Sequence, residues 1–119
     1  MKLILPAFAW AEVGSVLRKT TRLGGLTMLD GEAFWLRFCQ LPGLQYLGGA
    51  AIMERAWRIS CSHDLPTLYD AAFLAVAETV AEATGEGCDF WTADERLVNS
   101  LRGGCPYVQA LQSYAEQGN

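Results

Sequence analysis

The spacing of apolar and polar residues divides the chain into short elements of alternating type. Residues 2–5, KLIL, form a brief apolar run closed by Pro6, which suits a strand leading into a helix start. Residues 8–22 read as a helix, because Ala9, Val13, Val16, Leu17 and Thr20 recur on one face at spacings of three and four. Arg18, Lys19 and Arg22 fall in its last turns, the favourable end for cations, and Gly24-Gly25 stop it. Thr27 opens the next helix with Asp30 three residues on, a variant of the capping box. Phe34, Trp35, Leu36 and Phe38 carry that helix to about Leu41, where Pro42-Gly43 breaks it.

The second half repeats the alternation. Residues 44–48, LQYLG, predict a strand, residues 50–60 a helix, and His63, Asp64 and Pro66 a loop. Residues 67–83 form the clearest helix; its first half is apolar almost all round and is expected at the centre of the fold. Gly85 and Gly87 end it. Residues 88–92, CDFWT, predict a strand, followed by a helix from Ala93 or Asp94 to Leu101. A last strand near Pro106–Val108 and a final helix through Tyr114 complete the chain. Strands alternating with helices predict an α/β fold with a small, mostly parallel sheet, in a single domain over 1–119.

Composition supports a globular protein: 119 residues, 51% apolar, 18% charged and 11% aromatic. No apolar run reaches the ~18 residues of a membrane span, so no membrane partner is expected. The start, MKLILPAFAW, carries one basic residue and no small-residue cleavage site; a signal peptide is not expected, and the expected location is the cytoplasm. Nine basic residues against thirteen acidic ones give a net charge of -4. That disfavours a general nucleic-acid-coating role, yet leaves room for an acidic enzyme with a local basic patch. Cys39, Cys61, Cys88 and Cys105 form no Cys-x-x-Cys pair, and His63 is the only histidine, so a structural zinc site is not expected. The cysteines read as free, mostly buried thiols of a reducing compartment. No Cys-His or Ser-His-Asp arrangement is expected around His63.

Three carboxylates stand out by context. Glu12 sits beside the apolar stripe of the first long helix, Asp70 is the one charge between Asp64 and Glu78, and Asp94 stands where a strand meets a helix. Ligand sites in parallel α/β sheets form at the carboxyl ends of strands. Each residue also has a structural reading. Thr67-x-x-Asp70 and Thr92-x-x-Glu95 are capping-box variants, Asp94 is a possible N-cap, and Glu12 can snorkel to water. Spacing alone does not bring the three together.

Three segments, taken in order, resemble a known family. LPAFAWAEVGSVLRKTTRLGGLT (5–27) resembles the Pro-apolar-Glu-Val-x-x-x-Leu-Arg helix of PIN-domain proteins. LYDAAFLAVAE (68–78) is similar to their Tyr-Asp-Ala-x-x-Leu-Ala-x-Ala-Glu helix, and FWTADERL (90–97) to their Thr-Ala-Asp-x-x-Leu turn. The VapC-type toxins and related small PIN proteins are the nearest group. The resemblance implies a three-layer fold with a small parallel sheet flanked by helices, and a Mg²⁺- or Mn²⁺-dependent ribonuclease, the toxin of a toxin–antitoxin pair. It assigns Glu12, Asp70 and Asp94 to the metal and to catalysis. It assigns Thr92, Arg18, Lys19 and Arg22 to the RNA substrate. The family pattern opens with a further strand, an Asp and helices before the segment that starts here at Leu3. The resemblance therefore implies an N-terminally shortened PIN domain, weak or inactive as a nuclease, completed as a homodimer and held by an antitoxin protein. The alternative from another class is a non-catalytic PIN-like binding or dimerisation module. An unrelated α/β protein with capped helices is the third reading.

Overall fold

A computed structural model describes residues 2–92, 94–101 and 103–111. The chain forms two compact units, Met1–Leu47 and Gly48–Asn119. Helices and strands mix in both, and the strand pairs of both are parallel, as the alternating pattern predicts.

The first unit contains β1 (Leu3–Pro6), α1 (Ala9–Arg22), α2 (Met28–Cys39) and β2 (Leu44–Leu47). Leu3 pairs with Leu44 and Pro6 with Leu47. Pro6 donates no hydrogen bond, and the ladder resumes after it, where the Ala7 N–H donates to the Leu47 carbonyl at 3.0 Å. Thr27 caps α2 as predicted: its hydroxyl accepts from the Asp30 N–H at 3.0 Å. The helices α1 and α2 approach closely at two glycines. A Cβ on Gly14 would lie 3.0 Å from the Trp35 ring, and one on the buried Gly31 would collide with the Thr21 methyl. This seam runs along Gly14 and Thr21, and it turns Val16 away. Val16 is 64% exposed, against its expected place on the inward stripe.

The second unit contains α3 (Ala50–Ser62), α4 (Leu68–Thr84), β3 (Phe90–Thr92), α5 (Glu95–Leu101) and β4 (Val108–Ala110). Ala71, Ala72, Leu74, Ala75, Val76 and Ala77 of α4 are buried together with Ile52, Ala56 and Ile59 of α3, and Leu97 and Leu101 of α5. The expectation of a buried α4 holds, because small side chains let its neighbours approach on several sides. Gly85 ends the helix in the left-handed conformation, at φ 70°. Phe73 packs against Phe90 with ring centroids 5.6 Å apart, which ties α4 to β3.

Two expectations need correction. The last strand is Val108–Ala110, not Pro106–Val108, because Cys105 to Val108 form a turn in which the Val108 N–H donates to the Cys105 carbonyl at 3.2 Å. The cysteines are free but not mostly buried: Cys39 and Cys61 are exposed, Cys88 is half-buried and only Cys105 is buried. Burial of Cys39 fails because it ends α2, whose apolar residues Leu29, Phe34 and Leu36 are themselves exposed. The expected final helix through Tyr114 falls on residues outside the described ones. Among the described residues no helix is long and apolar enough to cross a membrane.

Two truncations should separate core from surface. Leu74, fully buried, should cost about 2–5 kcal/mol as Leu74→Ala. Leu23, 81% exposed, should change stability by less than about 0.5 kcal/mol as Leu23→Ala. Urea unfolding of each variant measures both.

Candidate functional site

Asp70 and Asp94 meet electrostatically in the second unit. Asp70 lies half-buried in the first turn of α4. Thr67 occupies the N-cap position in an extended conformation, but its side chain makes no capping hydrogen bond. The capping box suggested by Thr67-x-x-Asp70 is therefore not formed, and Asp70 is not drawn into a local cap. Burial holds the Asp70 carboxyl above the usual range, and the charge of Asp94 raises it further.

Asp94 follows the carboxyl end of β3. Its Oδ1 accepts from the Arg96 N–H at 3.0 Å and the Leu97 N–H at 3.2 Å, so Asp94 is the N-cap of α5. Thr92 stands one step back: its hydroxyl accepts from the Asp94 N–H at 3.1 Å. The local order is thus Thr92 holding Asp94, and Asp94 holding α5. Of the structural readings of this turn, Asp94 as N-cap is the one the structure shows. One Asp94 oxygen, Oδ1, is engaged by the cap.

Glu12 lies half-buried in the first turn of α1, in the first unit. Arg18, Lys19 and Arg22 are exposed on the same helix. Among the described residues no group of three or more His, Cys, Asp and Glu is placed to hold a metal ion. In the second unit Asp70 lies within the field of Asp94. Two carboxylates suit a hard divalent cation that keeps several waters, and they do not suit a cation needing an all-protein cage.

A second cluster links residues that the sequence gave no reason to connect. Cys105 Sγ lies 3.5 Å from His63 Nε2, across 42 positions of chain, so the expectation that no Cys-His pair forms is corrected. Gly104 makes room for this pair, because a Cβ there would lie 2.8 Å from the His63 ring. Tyr107 donates its hydroxyl to Glu78. Burial first, then that hydrogen bond, raises the Tyr107 phenol far above its ordinary value, so it remains a donor. Burial also pushes the Cys105 thiol up, which keeps it a neutral thiol rather than a nucleophile. Arg55 completes the cluster, 2.6 Å from Glu82 and 4.0 Å from Glu78. The hydrogen bond from Arg55 holds the Glu82 carboxyl below its usual range. The cluster joins α3, α4 and the turn before β4, and its chemistry is that of a structural lock. No local motif marks it, because its members come from three separate segments.

The pH dependence of Asp70 has a definite sign. A carboxyl raised in the folded state binds its proton more tightly there than in the unfolded chain. Its contribution is therefore most favourable below the ordinary value of 3.8 and is lost as pH rises through the raised folded value. In EDTA at pH 7, Asp70→Asn should raise the melting temperature, and the gain should disappear below about pH 3.8. Asp94→Ala should cost ~1 kcal/mol through the lost cap, whereas Asp94→Asn should keep it. Thermal unfolding from pH 3 to 8 checks both statements.

No protein-family model matches the chain, and no curated protein matches it.

Proposed function

We propose that the chain is a divalent-metal-dependent ribonuclease of the PIN type, with Asp70 and Asp94 as its central acidic pair. The observation that carries this reading is that burial and then the charge of Asp94, which follows the carboxyl end of β3, raise the Asp70 carboxyl. A protein gains no stability from such a pair without a cation, so its natural complement is Mg²⁺ or Mn²⁺. A bound cation of this class lowers the pKa of a water and offsets charge on a scissile phosphate. Asp70 contributes a carboxylate with no capping duty. Asp94 contributes Oδ2 while its Oδ1 keeps α5 in place, and Thr92 fixes the backbone that aims it.

Glu12 is the third carboxylate of the proposal on the resemblance of residues 5–27 alone. The three-layer PIN arrangement, the toxin role and an antitoxin partner rest on the same resemblance, as does the weak activity it implies. The RNA reading does not depend on Arg18, Lys19 and Arg22, which lie in the first unit.

The test is Mn²⁺ titration by calorimetry together with cleavage of a labelled RNA. Mn²⁺ should bind, and RNA cleavage should require it. Asp70→Asn should remove both. Asp94→Asn, which retains the cap, should remove both without loss of stability. Glu12→Gln should weaken cleavage. Failure of the wild-type chain to bind Mn²⁺ would favour the non-catalytic module instead. The proposal also includes a homodimer, joined through exposed apolar residues such as Phe34 and Leu36. Light scattering at micromolar concentration should give twice the 13.0 kDa chain mass; a stable monomer would refute the dimer.

A further inference from the structure

His63 and Cys105 form a pair that the proposed acidic site does not use. His63 is the C-cap of α3 and is half-buried; Cys105 opens the turn before β4 and is buried. The ring Nε2 of His63 faces the Cys105 Sγ at 3.5 Å. Three features fix that encounter. The His63 N–H donates to the Ile59 carbonyl at 3.0 Å, and the Cys105 N–H donates to the Leu101 carbonyl at 3.1 Å. Gly104 lacks the side chain whose Cβ would lie 2.8 Å from the His63 ring. Both residues are thus anchored through their backbones, and the turn passes close under the imidazole. The neighbours Ser62 and Gly104 are exposed, so a solvated ion reaches the pair from that side.

We infer that this pair is a binding site for an exchangeable Zn²⁺ ion, held by Cys105 Sγ and His63 Nε2 with water in the remaining positions. Distance carries the argument. Tetrahedral zinc, with Zn–S of about 2.3 Å and Zn–N of about 2.0 Å, sets its sulfur and nitrogen donors about 3.5 Å apart. The observed separation is 3.5 Å, so the pair accepts the ion without rearrangement. Thiolate and imidazole together select zinc over Mg²⁺ or Mn²⁺, which prefer oxygen. The surroundings agree in charge. The carboxylate of Glu78 acts on Cys105 and offsets part of the cation's charge, and it accepts from the Tyr107 hydroxyl, which orients it. Binding replaces the thiol proton by the metal: the proton leaves to solvent and sulfur binds as thiolate.

Two protein donors make this an open site, unlike the closed four-ligand centres that Cys-x-x-Cys pairs build. A linear two-coordinate Cu⁺ fits less well, because donors on opposite sides of an ion stand farther apart than the edge of a tetrahedron. Without metal the same atoms form a hydrogen bond, so the lock and the metal site are two states of one pair. The ion would clip the end of α3 to the turn before β4 across 42 positions of chain, and zinc would add to stability by mass action. The inference shares no donor with Asp70 and Asp94 and stands independently of the nuclease reading.

The probe is Co²⁺, titrated into the full chain without oxygen. Cobalt on a thiolate gives a near-ultraviolet charge-transfer band, which carboxylates such as Asp70 and Asp94 do not give. The band should saturate, be bleached by Zn²⁺ and persist in excess Mn²⁺. Cys105→Ser should abolish it. His63→Gln should weaken Co²⁺ affinity by at least about tenfold, and Gly104→Ala, which keeps both donors but displaces the ring, by roughly tenfold. Cys39→Ser, Cys61→Ser and Cys88→Ser should leave the band intact. Zn²⁺ should raise the melting temperature of the wild-type chain more than that of His63→Gln. Circular dichroism establishes that each variant keeps its helices, and His63→Gln and Gly104→Ala carry the test should Cys105→Ser fail to fold. Absence of the band at millimolar Co²⁺, or equal affinity in folded His63→Gln and Gly104→Ala, overturns the proposal. So does loss of the band in Cys61→Ser, which would place the metal on an exposed thiol, and so does its displacement by Mn²⁺.

Discussion

The second unit depends on the burial of α4. Ala71, Ala72, Leu74, Ala75, Val76 and Ala77 are all in the core, so this helix is covered on most of its circumference. Such burial is possible because four of the six are alanines. A helix with small side chains allows α3 to pack along it and β3 to reach it through Phe73 and Phe90. The cost of inserting any charge into this helix is then high. Asp70, in its first turn, is the position where a carboxyl can still reach a polar surface while its apolar neighbours desolvate it. The raised Asp70 carboxyl is thus a direct result of the packing of α4.

Asp94 shows the same joining of structure and chemistry at smaller scale. Its Oδ1 satisfies two amides that α5 leaves open at its start, and this fixes the carboxylate in one orientation. A side chain fixed for a structural reason is also preorganised for a ligand. The cap occupies Oδ1 alone, so it is compatible with the metal role proposed for Asp94. Away from this pair, the links through Cys105, Tyr107, Glu78 and Arg55 hold three segments together with neutral or paired groups. The raised Cys105 thiol and Tyr107 phenol are poor reactants and good fasteners.

In the first unit the controlling feature is the close passage of α1 and α2 at Gly14 and Gly31. Contact at those glycines draws the helices together at the seam and leaves larger residues, Trp10 and Met28, on the flanks without full burial. Apolar side chains that a helix pair cannot cover itself stay exposed, here beside the basic last turns of α1.

The order of the elements was legible in the sequence because it depends on local signals. Period-3.6 spacing placed α1 and α4, Thr27 opened α2, and Gly85 closed α4, since propensity and capping act within a few residues. The apolar character of α4 likewise foretold its burial. The carboxylates Asp70 and Asp94 could be singled out by context, but their encounter could not, because it depends on the path of the chain between α4 and β3. Competition among acceptors decided that Asp94, rather than Thr92, caps α5, and only three-dimensional reach settles such a contest. Spacing set Val16 on an apolar stripe, yet the glycine seam rotated the contact face away from it. The meeting of Cys105 with His63 arises from residues distant in sequence. Local chemistry determined which elements form, and long-range packing determined which of their side chains share an environment.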